Sequence, residues 1–156
     1  YFERCTLKTG RLFAAACGLG GRLGGLSSAD AEALADYGRL LGIAFQVADD
    51  ILDCSGTSDA TGKVLGTDLI GGTATLPLLL AARLDEGIAA ALRTQPPADE
   101  VLPLLQRVAA TGALDEARET ARDLVRAAEE TLDRIQGDLD TAPLRMVVRG
   151  VVDRDT

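Results

Sequence analysis

An all-α bundle of about six helices is the fold this sequence predicts, on three observations. Apolar residues recur at three- and four-residue intervals along most of the 156 positions, and no stretch reads credibly as a strand. Ala, Leu, Gly and Val do the filling while aromatics are only 3%, which suits closely packed helices and not a sandwich of β-branched and aromatic strands. The interruptions fall at Gly and Pro, as at Gln95-Pro96-Pro97, Thr111-Gly112 and Gly137. The length suits one domain with a genuine core and leaves little room for two.

Residues 1 to about 19 read as a first helix with Leu7, Leu12, Phe13, Ala16 and Leu19 on one side. The glycines that follow, from Gly18 to Gly25, mark a helix C-terminus with close helix packing. They are no phosphate loop, because Leu23 stands where G-x-G-x-x-G needs Gly and no strand precedes them. Ser27-Ser28-Ala29-Asp30 opens a second helix, from about 30 to 54, with a Ser or Asp cap. The polar, glycine-rich stretch 55–72 is the longest loop. Thr75-Leu76-Pro77 starts a third helix that continues to Leu92, with Pro in the first turn where its missing N–H costs little. A fourth runs from Asp99-Glu100 to about Ala110. The fifth, Leu114 to about Ile135, is apolar at Leu114, Ala117, Ala121, Leu124, Val125, Ala128 and Leu132 and carries charges of both signs on a solvated face. A sixth spans about Thr141 to Val152.

The second helix contains an anomaly. Gly42-Ile43-Ala44-Phe45-Gln46-Val47-Ala48-Asp49-Asp50-Ile51-Leu52-Asp53 is apolar in nearly every direction, yet holds three carboxylates and an amide. At about 100° per residue, Gln46, Asp49, Asp50 and Asp53 fall within an arc of roughly 100°. Carboxylates side by side repel and are costly to bury unpaired, so Mg²⁺, a Lys/Arg cluster or water must face them.

Composition narrows the chemistry. A net charge of −8 argues against nucleic acid or an anionic membrane surface as a general partner, though not against an anionic substrate met by metal ions or placed Lys and Arg. With no histidine, Ser-His-Asp and Cys-His catalysis and His-ligated zinc are excluded. Cys5, Cys17 and Cys54 lack C-x-x-C spacing and read as small buried residues of a reduced, cytoplasmic protein. No apolar run has transmembrane length, so no stable membrane insertion is expected. Tyr1, not Met, enters directly in a helical pattern, and the chain is expected to be a fragment of something longer.

Clustered Asp without His or Cys makes a hard oxygen site suited to Mg²⁺ with water and substrate phosphate. Lys8, beside Thr9, and Lys63, in the loop with Asp68, would serve as point-charge phosphate partners. Metal and lysines around a diphosphate are the equipment for stabilising it as it departs. The plain alternatives are a snorkelling Lys8 and a solvated acid face.

These residues also resemble a family, the trans-isoprenyl diphosphate (polyprenyl) synthases. The resemblance lies in Lys8-Thr9-Gly10, Tyr37-Gly38, Leu41 to Asp53, Gly62-Lys63, Gly66-Thr67-Asp68-Leu69, Thr75-Leu76-Pro77 and the terminal Val151-Val152-Asp153-Arg154, in the family's order and spacing. In style the chain is similar to bacterial, actinobacterial long-chain members. The resemblance implies the isoprenoid-synthase helical bundle and a Mg²⁺-dependent prenyltransferase that joins an allylic diphosphate to isopentenyl diphosphate. By the same resemblance Asp49, Asp50 and Asp53 form the second aspartate-rich motif, which holds Mg²⁺ on the allylic diphosphate. Lys8 and Lys63 contact that diphosphate, Thr9 and Gln46 lie near the reacting carbons and leaving oxygen, and Asp68 supports the metal-water shell or a lysine.

Two departures stand out. The first aspartate-rich motif, on an earlier helix in the family, is absent, as are most of the basic residues for isopentenyl diphosphate. Thr73 replaces a Lys that many members carry. Residues 1–156 are therefore expected to be the C-terminal portion of a single synthase domain, inactive alone, from a full-length protein that forms a homodimer. The competing expectations are a non-catalytic subunit or remnant that pairs with an active partner, and an unrelated helical interaction module.

Overall fold

The structure, a computed structural model, describes residues 1–55 and 65–152. Among them every regular element is helical. The elements are α1 (Phe2–Cys5), a π-turn (Thr6–Gly10), α2 (Arg11–Leu23), α3 (Ser28–Ser55), α4 (Thr67–Ile70), α5 (Leu76–Ala82), α6 (Glu86–Thr94), α7 (Ala98–Ala110), α8 (Ala113–Asp133) and α9 (Ala142–Val152). They group into two compact units, one of Phe2–Ala48 with the chain from Ala121 onward, the other of Asp49–Thr120 with Tyr1. No helix among the described residues is long and apolar enough to cross a membrane.

In the first unit, α3, α8 and α9 enclose a core of Leu34, Tyr37, Leu41, Ala44, Val125, Ala128, Leu132, Val148 and Val151. The α8 residues sit at the spacing the sequence predicts, and the opposite face carries surface pairs such as Arg126 with Asp123. Tyr37, fully buried, donates its hydroxyl to the Leu144 carbonyl at 2.8 Å, which ties α3 to α9. Burial, with the neighbouring Cys17 thiol, pushes its phenol up to about 12, so it stays a donor at any working pH.

The first helix departs from expectation in which side it buries. Leu7, Leu12 and Leu19 are 51%, 71% and 59% exposed, whereas Gly10, Gly18 and Gly21 are buried. The reason is closeness. A Cβ on Gly38 of α3 would lie 2.5 Å from the Phe13 carbonyl oxygen, and one on Gly42 would lie 2.9 Å from the Gly10 Cα. Backbone meets backbone there, a contact that glycines permit and leucines forbid.

The N-terminus of α3 is a reciprocal cap. Ser27 Oγ accepts the Asp30 N–H at 3.1 Å and donates to Asp30 Oδ2 at 2.8 Å, while Asp30 Oδ1 accepts the Gln136 N–H at 2.9 Å. The Gln136 N–H first, then the Ser27 hydroxyl, hold the Asp30 carboxyl below the usual carboxylate range.

In the second unit, the predicted helix from Leu76 to Leu92 is two helices. Asp85 breaks it, accepting from the Gly87 and Ile88 N–H groups at 2.8 and 3.3 Å as the cap of α6. Arg107 of α7 donates to the same carboxylate at 2.5 and 3.0 Å and is the main cause of its lowered proton affinity, with the two capping N–H groups behind it. Asp30 and Asp85 thus have folded-state pKa values below the unfolded value of about 4, so each stabilises the fold above that pH. That stability is lost as pH falls through the depressed values. Thermal midpoints are expected to stay level from about pH 7 to 5 and to fall below about pH 4. The acid decline should be shallower in an Asp30→Asn/Asp85→Asn double variant, and an unchanged slope would refute the assignment.

The polar stretch between α3 and α5 contains α4, entered through Gly66 at φ 71°. A Cβ there would meet Val101 Cγ1 at 2.4 Å, so both backbone and space require glycine.

Candidate active site

Lys8 and Thr9 sit in the π-turn, an i→i+5 ring of a kind that recurs at functional positions. The turn lies against α3 at Gly42, and four residues further along α3 is Gln46. Thr9 Oγ1 donates to Gln46 Oε1 at 3.4 Å; Gln46 is buried, Thr9 half-buried and Lys8 exposed. Thr9 and Gln46, separated in sequence by 37 positions, are brought together.

The carboxylates at the end of α3 are not equivalent. Asp49 is exposed, Asp50 is 4% exposed and Asp53 half-buried. Asp50 Oδ2 accepts the Tyr1 hydroxyl at 2.5 Å, a contact across 49 positions that nothing in the sequence signalled. Asp53 latches the next helix: its Oδ1 accepts the Thr67 N–H at 3.1 Å and the Thr67 hydroxyl at 2.6 Å, and its Oδ2 accepts the Asp68 N–H at 3.0 Å. These bonds cap α4 from a distance and draw Asp68 to Asp53. Behind them lies Cys54, whose buried thiol is pushed well above its ordinary range, first by burial and then by the charges of Asp53, Asp68 and Asp50. That thiol is inert packing.

The donors available to a metal are carboxylate oxygens, the chemistry of a hard cation. Among the described residues no three Asp, Glu or Cys side chains converge as a metal cage. What α3 offers a hard cation is an edge, with Asp49 outermost and Asp50 and Asp53 fixed by hydrogen bonds. Such an edge fits an ion that keeps several waters and takes its other ligands from substrate phosphate. Lys63 lies outside the described residues.

Comparison with known proteins places the chain in a family. The polyprenyl synthetase profile matches residues 1–102. The geranylgeranyl diphosphate synthase of Methanosarcina mazei is 32% identical over 157 residues, covering 99% of this chain and 48% of that one. Heptaprenyl diphosphate synthase component 2 of Geobacillus stearothermophilus is 36% identical over 115 residues, 74% of this chain and 36% of its own. A crystal structure of a Caulobacter crescentus polyprenyl synthase, complexed with calcium and isoprenyl diphosphate, superposes with a TM-score of 0.88 at 36% identity, over 100% of this chain and 49% of that one. The chain thus spans about half the length of these relatives or less. The profile covers well over half of the chain and the relatives share its helical fold: this chain belongs to the polyprenyl synthetase family.

Proposed function

We propose that this chain is the C-terminal half of a trans-prenyltransferase that condenses an allylic diphosphate with isopentenyl diphosphate. The observation that carries the reading is the ordered acid edge of α3, where Tyr1 fixes Asp50, Thr67 fixes Asp53, and Asp49 is left outermost. In this reading Asp49, supported by Asp50 and Asp53, holds Mg²⁺ against the diphosphate. An ion held there would supply positive charge to the diphosphate as it leaves. Lys8 adds a point charge on the same oxygens, and Lys63 a second. Thr9 and Gln46 keep paired polar atoms beside the leaving oxygen and the reacting carbons. Asp68, held to Asp53, supports the metal's water shell. The alkene of isopentenyl diphosphate then attacks the carbocation, and the departing diphosphate takes up the proton released. The opposite metal-binding wall, the sites for isopentenyl diphosphate and a homodimer interface belong to the remaining half, so the 156-residue chain alone is inactive. The reaction and the reduced thiols fit a cytoplasmic protein.

A second reading, a non-catalytic subunit, draws on the relative named as a synthase component. Titration calorimetry with Mg²⁺ and a bisphosphonate analogue of an allylic diphosphate separates the two. The enzyme reading expects metal-dependent binding, weakened on the order of 100-fold by Asp49→Ala. Absence of binding favours the subunit, and steady turnover of isopentenyl diphosphate by the chain alone would overturn its assignment as half a site.

A further inference from the structure

We infer that Tyr1 is a positioning residue for the metal ion: its phenol orders the buried carboxylate of Asp50 without cancelling the charge that draws a cation. The inference rests on the prenyltransferase reading and adds to that site a residue with no charge of its own. Asp49, Asp50 and Asp53 stand near the C-terminal end of α3, where the helix carbonyls disfavour negative charge and the last turn holds no basic residue. Asp50, 4% exposed, is the deepest of the three, and a carboxylate so placed is ordered by hydrogen-bond donors. A Lys or Arg would order and neutralise it together. A hydroxyl or a backbone N–H orders it and leaves its charge in place.

Asp53 is held in the second way by the Thr67 N–H and hydroxyl and the Asp68 N–H, and Asp50 Oδ2 by the Tyr1 hydroxyl at 2.5 Å. That length is the range of a hydroxyl donating to an ionised carboxylate. Tyr1 also groups with Asp49–Thr120, the unit that carries the acids, and not with the Phe2–Ala48 segment that follows it in sequence. A tyrosine that only ties elements together needs no carboxylate: Tyr37, fully buried, donates to the Leu144 carbonyl. Tyr1 is half-buried, and water could serve its hydroxyl as well. What the bond secures is therefore the orientation of Asp50. Groups that hydrogen-bond a carboxylate beside a metal fix it for the ion, and losing one lowers metal affinity roughly 10- to 100-fold.

The test titrates the chain and its variants with Mn²⁺ by calorimetry, in the presence of a bisphosphonate analogue of an allylic diphosphate. Tyr1→Phe keeps the ring and removes only the donor, and it should weaken binding of the ion roughly 10- to 100-fold. Asp50→Asn should weaken it as well. The double variant Tyr1→Phe/Asp50→Asn should bind no more weakly than Asp50→Asn alone, because Tyr1 acts through that carboxylate. Native-state hydrogen exchange supplies a readout that a structural lesion would move. The Thr67 to Gly71 amides answer to Asp53, and they should keep their protection in Tyr1→Phe. Metal binding indifferent to Tyr1→Phe, losses that add in the double variant, or exchange that rises across those amides would each overturn the role. Absence of metal binding by the native chain would sink the catalytic reading and this role with it, so the two failures are told apart.

Discussion

Replacing Gly38 with alanine is expected to destabilise the unit formed by Phe2–Ala48 and the chain from Ala121 by at least about 2 kcal/mol, although alanine is the better helix former. The propensity gain is about 1 kcal/mol in favour of the variant. Against it stands a methyl carbon placed 2.5 Å from the Phe13 carbonyl oxygen, 2.8 Å from its carbonyl carbon and 2.9 Å from Cys17 Sγ. The first two belong to backbone and cannot rotate away, so α2 and α3 must separate, an overpacking cost of about 3 kcal/mol or more. Separation also opens the contact of Gly10 with Gly42, one turn along α3, and with it the 3.4 Å pairing of Thr9 and Gln46. The measurement is the urea midpoint, with Gly20→Ala as its control. Gly20 lies in the same α2 with nothing within 4 Å of an added Cβ, so the same substitution should stabilise by about 0.5 to 1 kcal/mol. Two glycine-to-alanine changes of equal sign would show that the close approach is not real.

Asp53→Ala is expected to release α4 while leaving the rest of the unit folded. The carboxylate receives three hydrogen bonds from Thr67 and Asp68, and a helix of four residues has no internal means of holding itself. Losing a charged cap with a hydroxyl partner costs about 2 kcal/mol at this partly exposed position. Read by native-state hydrogen exchange, protection of the Thr67 to Gly71 amides should fall roughly 30-fold. Asp49→Ala, one helical turn earlier, should leave those amides untouched while removing the metal response. Unaltered exchange in the Asp53 variant would show that the latch carries no weight. Together the two variants separate the acid that organises the edge from the acid that presents it.

Much of this was legible in the sequence because the signals were local. Ser27 and Asp30 announce a helix start through a cap that closes within one turn, and Thr75-Leu76-Pro77 does so through the fixed φ of proline. The interior face of α8 followed from period alone. The acid edge was singled out because Asp residues interrupt an apolar helix, and the chemistry proposed for it comes from the family's spacing. The failures share a different cause. Leu12 and Leu19 share one apolar side of the first helix, the kind of side that usually packs inward, but Gly38 lets α3 approach the glycine side of α2 so closely that the leucines are left outside. The grip of Arg107 on the capping Asp85 spans 22 positions, and that of Tyr1 on Asp50 spans 49. No local pattern contains such pairings.

The π-turn between α1 and α2 has an evolutionary consequence. Substitution inside Thr6–Gly10 changes side chains, but deletion of any one residue would relax the wide ring into an ordinary α-turn. The helices on either side would keep their register, because the wide ring holds one residue more than an α-turn, but Thr9 would lose the position from which it meets Gln46. The spacing of these five residues is thus held by length more strictly than by identity, and alignments of viable relatives should show exchanges here but no gaps.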